Sequence, residues 1–473
     1  MKSLRIILAI TALLSGISVG AEIRLPSFFS DGMVLQQQAT VKIWGTSDNG
    51  DKVSLTTGWD GKAYSCKPLS NGSWSIKFKT PEAGGPYRIS ISDGTERVLN
   101  DVMLGEVWIC AGQSNMEMPM KGFGSQPVEN ALELLLSSGN SAVRVFMTRR
   151  SSGKTPQADM NGRWEHASPA TVPDFSAVAY LFARRLQSVL KVPVGVIVSA
   201  WGGTSILGWM PEKAVDNAVP EDDIIRIISA ADRPKNYPGV LYNGMIAPVA
   251  GYAAKGFLWY QGCANVQFPK QYAPLLKSLI ESWRAAWGAR IPFYAVELAP
   301  HRYGRGNENG FERPSWVEEV TNMMKKTEKT ALVPTSDAGN PTVIHPARKQ
   351  VVGDRLALMA LKNEYGYKTL EPEAPAIASA NVIDGTIIIK TTSALGPANG
   401  LLRGFEIAGE DRIFYPAKAA VNTKEMTIIV KSDKVPEPVA VRYNFHNSVS
   451  GGDWKNWMGI PALPCRTDDW ELE

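Results

Sequence analysis

Val107-Trp108-Ile109-Cys110-Ala111-Gly112-Gln113-Ser114-Asn115-Met116 carries the key to the fold. It begins as a short apolar strand and runs directly into a polar turn containing glycine. The same grammar repeats downstream. Apolar runs at 194–198, 257–260, 293–298 and 330–334 read as strands, and the segments 175–190, 271–287, 316–326 and 347–364 read as helices. Strands alternating with helices imply a parallel sheet with helices on both faces, covering residues 103–367.

The flanks follow a different period. Between residues 22 and 102, Val41-Lys42-Ile43-Trp44, Trp74-Ser75-Ile76-Lys77-Phe78 and Tyr87-Arg88-Ile89-Ser90-Ile91 alternate apolar and polar, with turns at Asn71-Gly72 and Asp93-Gly94. This predicts a small antiparallel β-sandwich. From 368 to 473 β patterning returns, with strands expected at 381–391, 412–416, 426–431 and 439–445 and a turn at Asp384-Gly385. The first 21 residues join Lys2 and Arg5 to an apolar stretch and end in Val19-Gly20-Ala21, the pattern of a signal peptide. The chain is therefore expected to be exported, to a periplasm or outside the cell.

Composition narrows the function. The 473 residues are 44% hydrophobic and 20% charged, as in globular proteins. The 50 basic and 46 acidic side chains give a net charge of +4 and are scattered. Nucleic acid and anionic membranes reward clustered Lys and Arg, so neither is expected as the main partner. Outside the leader no apolar run reaches the roughly 20 residues of a membrane span, which excludes membrane insertion of the mature chain. Cys66, Cys110, Cys263 and Cys465 are too widely and irregularly spaced for a disulfide framework, and a single bridge stays open. No zinc pattern and no cofactor fingerprint is present, so no metal or cofactor is expected.

In open parallel sheets, sites form beyond the carboxyl ends of the strands. Four such ends are polar: Ala111-Gly112-Gln113-Ser114-Asn115-Met116, Trp201-Gly202-Gly203-Thr204-Ser205, Gln261-Gly262-Cys263-Ala264-Asn265, and Ser336-Asp337-Ala338-Gly339 followed by Ile344-His345-Pro346. A serine nucleophile needs a base of near-neutral pKa, usually histidine. Of the four histidines, His166, His301, His345 and His446, only His345 follows a strand end of the parallel layer and precedes a helix. A serine after a strand is by itself a common helix N-cap. The neighbouring loops make Ser114 a candidate nucleophile, outside the G-x-S-x-G elbow of α/β-hydrolases.

These four loops resemble the blocks of SGNH hydrolases, and the wider match is similar to the sialate O-acetylesterase family. The wider match includes Gly105-Glu106-Val107-Trp108, Leu258-Trp259-Tyr260-Gln261-Gly262, Lys349-Gln350-Val351-Val352-Gly353, Phe29-Ser30-Asp31-Gly32-Met33-Val34-Leu35-Gln36 and Arg466-Thr467-Asp468. The resemblance implies a flavodoxin-like SGNH hydrolase domain that removes acetyl esters from sialic acid or related glycans. By position it implies Ser114 as nucleophile and His345 as base. It further implies the Ser114 and Gly203 amides and the Asn265 side chain as oxyanion donors, with Gln113, Gln261 and Trp201 facing substrate. It also marks departures. Thr342 stands three before His345, where SGNH enzymes usually carry Asp. Val343 stands where an acidic residue is frequent, and Cys263 where Glu is common. Asp337, eight before His345, does fit the group and is the candidate to orient the imidazole, the alternative being a Ser–His dyad held by a backbone carbonyl. Two other functions stay open: an esterase for acetylated xylan, and a non-catalytic glycan-binding protein on a decayed esterase fold.

Overall fold

The computed structural model describes residues 23–472, apart from 49, 51, 397–400 and 449–451 and the side chain at 305. The expected leader at 1–21 lies outside the described residues. Among the described residues no helix is long and apolar enough to cross a membrane.

The central layer is a sheet of six parallel strands: β1 (Glu96–Gly112), β2 (Asn140–Met147), β3 (Val194–Ala200), β4 (Gly256–Tyr260), β5 (Phe293–Val296) and β6 (Thr330–Val333). Their spatial order is β6-β5-β4-β1-β3-β2, and Trp164–Ala167 adds an antiparallel strand at the β2 edge. Side chains alternate between two cores, as strand geometry requires. From β1, Val107, Ile109 and Ala111 enter one core, and Trp108 and Cys110 the other. Helices α2 (Pro269–Trp287) and α3 (Glu312–Lys325) cover the first face with Leu275, Leu279, Trp283, Trp316 and Val320. Helices α1 (Ala177–Leu190) and α4 (Lys349–Glu364) cover the second with Leu181, Phe182, Leu356 and Met359. Burial on both faces explains why these strands read as apolar runs without alternation.

The expected division at 102/103 falls inside a single strand. β1 runs for 17 residues. Its first half pairs with Gly84–Ser92 of the N-terminal β region, and its second half lies between β3 and β4. The N-terminal region thus shares the first core of the parallel layer, where the Phe29 and Tyr252 rings stack at 5.4 Å. Two elements of the layer escaped the periodicity, β2 and the edge strand Trp164–Ala167. The C-terminal region holds a five-stranded and a four-stranded antiparallel sheet around its own core of Ile389, Ile407, Val430 and Trp454. There the strand expected at 412–416 shrinks to Tyr415–Pro416, because Arg412 takes the left-handed conformation at φ 61° and breaks the ladder. Ion pairs Lys455–Asp337 (3.2 Å) and Arg466–Glu318 (2.9 Å) bind this region to the parallel layer. All four cysteines are free thiols, so the bridge left open by the sequence is not made.

Candidate active site

The carboxyl ends of β3, β1 and β4 lie side by side, where the chain order reverses across the sheet. Gly112 ends β1 at φ 146°, and a Cβ there would stand 2.3 Å from the Tyr260 carbonyl oxygen of β4. A residue without a side chain is what lets the backbone leave the sheet so close to its neighbour. The next four residues, Ser114–Glu117, form one helical turn, whose N-cap is Gln113. Ser114 is therefore not the cap. Its Oγ lies 2.8 Å from His345 Nε2, across 231 positions of sequence.

The other imidazole nitrogen, Nδ1, lies 2.5 Å from Gln126 Oε1, and the Phe123 ring packs edge-on at 5.2 Å. A carboxamide oxygen only accepts, so Nδ1 carries the proton and the Nε2 lone pair faces the serine hydroxyl. Burial lowers the His345 pKa to about 4. The positive charges of Lys349 and His301 act in the same direction, and Glu117 opposes them. At neutral pH the ring is uncharged and can receive the hydroxyl proton.

The loops beside this pair are fixed by three polar residues. Glu117 accepts the Gly202 amide at 2.8 Å through Oε2 and pairs with Arg150 at 2.6 Å through Oε1. Asn115 donates to the Ile344 carbonyl at 3.0 Å, tying the serine turn to the backbone just before His345. Asn115 Oδ1 in turn accepts from Lys349 Nζ at 2.5 Å. Lys349 is fully buried, and desolvation brings its pKa down to about 7, with Cys263 pulling the other way. The Cys263 thiol, itself raised by burial, sits 3.6 Å from the Tyr303 hydroxyl. Among the described residues, the Ser114 and Gly203 amides have no hydrogen-bond acceptor, and Gly203 takes φ 66° at an exposed turn.

Three expected roles differ from the geometry. Asp337 does not touch His345. Its carboxylate is held by Arg355 at 2.7 and 2.9 Å and by Lys455 at 3.2 Å. Against the burial that raises its pKa, these cations hold it down at about 2. Asp337 thus fastens its loop to α4 and to the C-terminal region, and Gln126 occupies the place expected for it. Asn265 is 1% exposed; its Nδ2 donates to Ser205 Oγ, and its Oδ1 accepts from the Ile206 amide and from Gln261 Nε2. It joins the loops after β3 and β4, and that tie uses one of the two N–H donors of its carboxamide. Gln261, also buried, spends its amide on the Thr204 carbonyl and Asn265 and accepts from the Tyr272 hydroxyl, so it faces no substrate. Gln113 accepts the Gly262 amide at 2.9 Å and is likewise buried. Trp201 is half-buried at the edge of the site. Gln126 and Glu117 went unnoticed in the sequence, and Lys349 stood there only within a matching block, with no role. Gln126 and Glu117 carry no pattern that marks them, and the position of Lys349 in the first turn of α4 does not disclose its contact with Asn115. Asn115 had one signal, its adjacency to Ser114. No group of three or more His, Cys, Asp or Glu among the described residues could hold a metal ion.

Comparison with known proteins places this arrangement in a family. A family model described as carbohydrate esterase, sialic acid-specific acetylesterase, matches residues 104–362. The human sialate O-acetylesterase is 29% identical over 393 residues, spanning 76% of this chain and 74% of the human protein. The rat sialate O-acetylesterase is 28% identical over 431 residues, spanning 78% and 79%. The crystal structure of a carbohydrate acetylesterase from Xanthomonas citri superposes with a TM-score of 0.85 at 32% identity, covering 95% of this chain and 100% of that one. A matched segment that takes in the serine turn, both glycine-bearing loops and His345, together with a superposition over nearly the whole chain, makes this protein a member of the sialic acid-specific acetylesterase family of carbohydrate esterases.

Proposed function

We propose that this carbohydrate esterase works as an SGNH-type hydrolase in which Ser114 and His345 remove O-acetyl groups from sialic acid or a related acetylated glycan. The observation that carries the proposal is the 2.8 Å contact between Ser114 Oγ and a neutral His345 Nε2, beside the Ser114 and Gly203 N–H groups that have no acceptor among the described residues. The strand order supports the SGNH assignment: without β2, the sequence β3-β1-β4-β5-β6 is the 2-1-3-4-5 order of flavodoxin-like sheets. Residues 103–367 then form the hydrolase unit, and the N-terminal residues ending in Ala21 direct its export.

In this mechanism Ser114 Oγ attacks the acetyl carbonyl while Nε2 takes its proton. The Ser114 and Gly203 N–H groups stabilise the oxyanion, each donor contributing roughly 2.7–4 kcal/mol in comparable sites. Glu117 and Asn265 hold the Gly203 loop in place for that task. The imidazolium returns its proton to the departing sugar oxygen. Water then attacks the acetyl-enzyme with His345 again as base, releasing acetate. Gln126 fixes the tautomer throughout.

The test is acetate release from O-acetylated sialoglycans, with acetylated xylan as the comparison. Ser114→Ala and His345→Ala should each lower turnover by ~10³-fold or more while leaving the melting temperature nearly unchanged. Substantial residual turnover in Ser114→Ala refutes the assignment.

A further inference from the structure

The edge of the site carries positive charge that ester hydrolysis does not need. Trp201 follows β3 directly. The Arg150 guanidinium carbon lies 5.8 Å and Lys235 Nζ 5.6 Å from its ring centroid. Lys235 Nζ also donates to the Gly202 carbonyl at 2.5 Å, and a Cβ on Gly203 would stand 3.5 Å from it. A Cβ on Gly202 would meet Ser114 Cβ at 3.1 Å. The ammonium and the serine therefore border the same two-glycine turn. Burial, Arg233 and Arg150 all disfavour the Lys235 charge, and Glu117 favours it. Yet Glu117 is already engaged by Arg150 and the Gly202 amide. Arg150 and Lys235 thus flank one committed carboxylate at the mouth of the site, with the charge of Arg233 adding to the repulsion on Lys235. A half-buried ammonium left in this state is a place where a bound anion is stabilised.

We propose that Lys235 and Arg150, set against Trp201, form a subsite for the carboxylate of an acidic sugar whose acetyl group is presented to Ser114. The proposal rests on the Ser114–His345 assignment and deepens it by naming the charge of the substrate. The Trp201 ring offers the apolar face of the sugar a surface, and the two cations select an acid over a neutral acetylated polysaccharide.

The experiment compares two compounds that differ at one group: O-acetylated N-acetylneuraminic acid, and the same sugar with its carboxylate capped as the primary amide. The wild-type enzyme should favour the acid by about tenfold or more in kcat/KM, expressed mainly in KM and weakened by added salt. Lys235→Met should bring the ratio of the two substrates close to one, and Lys235→Arg should restore most of it. Arg150→Met should lower the ratio in the same direction. An enzyme that does not distinguish acid from amide, or a Lys235→Met variant that keeps the wild-type ratio, overturns the proposal. Failure of the Ser114 assignment shows differently, as Ser114→Ala turning over both compounds.

Discussion

Replacing Gln126 by Glu places a full negative charge where a carboxamide oxygen now meets His345 Nδ1 at 2.5 Å. Opposite unit charges about 4 Å apart attract by ~1 kcal/mol in water and ~4 kcal/mol at the effective dielectric of a protein surface. One pKa unit is about 1.4 kcal/mol, so the imidazolium should gain ~1–3 units. His345 is half-buried and the new carboxylate keeps access to solvent, which favours the lower part of that range. From a wild-type value of about 4, the His345 pKa should rise to ~5–6. The sign follows from the role of the ring: the neutral form is active, so activity is lost as pH falls through the His345 pKa. The acid limb of kcat/KM should therefore move from near pH 4 in the wild type to near pH 5–6 in Gln126→Glu, with activity retained at pH 7. The measurement is a pH profile of acetate release, paired with an NMR titration in which His345→Ala assigns the ring resonance. An acid limb that stays near pH 4 in Gln126→Glu would show that Gln126 does not sit against the His345 imidazole.

Two further substitutions probe the frame around the pair. The Asp337 carboxyl titrates near 2 in the folded protein, below the ~3.9 of an unfolded chain, so its contribution is present above about pH 4 and disappears as pH falls toward 2. Asp337→Asn should cost about 2 kcal/mol at pH 7, converge with wild type near pH 2 in thermal melts, and leave the acid limb of kcat/KM where it is; movement of that limb would restore Asp337 as a partner of His345. Gly112→Ala puts a Cβ 2.3 Å from the Tyr260 carbonyl at φ 146°, and should lower stability by ~1–3 kcal/mol or more and turnover along with it; an unchanged melting temperature in a calorimetric scan would contradict the close approach of β1 and β4.

Much of this protein is legible in its sequence because its signals are local. Strands buried on both faces must be apolar throughout, and antiparallel strands with one wet face must alternate, so the change of period after Val102 and again after Tyr367 separates a parallel layer from its β flanks. The polar turns after β1, β3 and β4 and the placement of His345 before α4 likewise depend on residue type and chain order alone. The continuity of β1 through the expected boundary is not local: it depends on Gly84–Ser92 and then β3 and β4 offering unpaired backbone along one 17-residue edge.

Hydrophobic period and turn chemistry, written residue by residue, already place a serine and a histidine after strand ends of one parallel sheet. Which side chain holds that histidine was decided only when the loops packed. Gln126 lies 219 positions from His345 and carries no distinguishing pattern, whereas Asp337, eight positions away, is drawn off by Arg355 and Lys455. Hydrogen-bond partners follow distance in space and competition among charges, and the folded chain sets both.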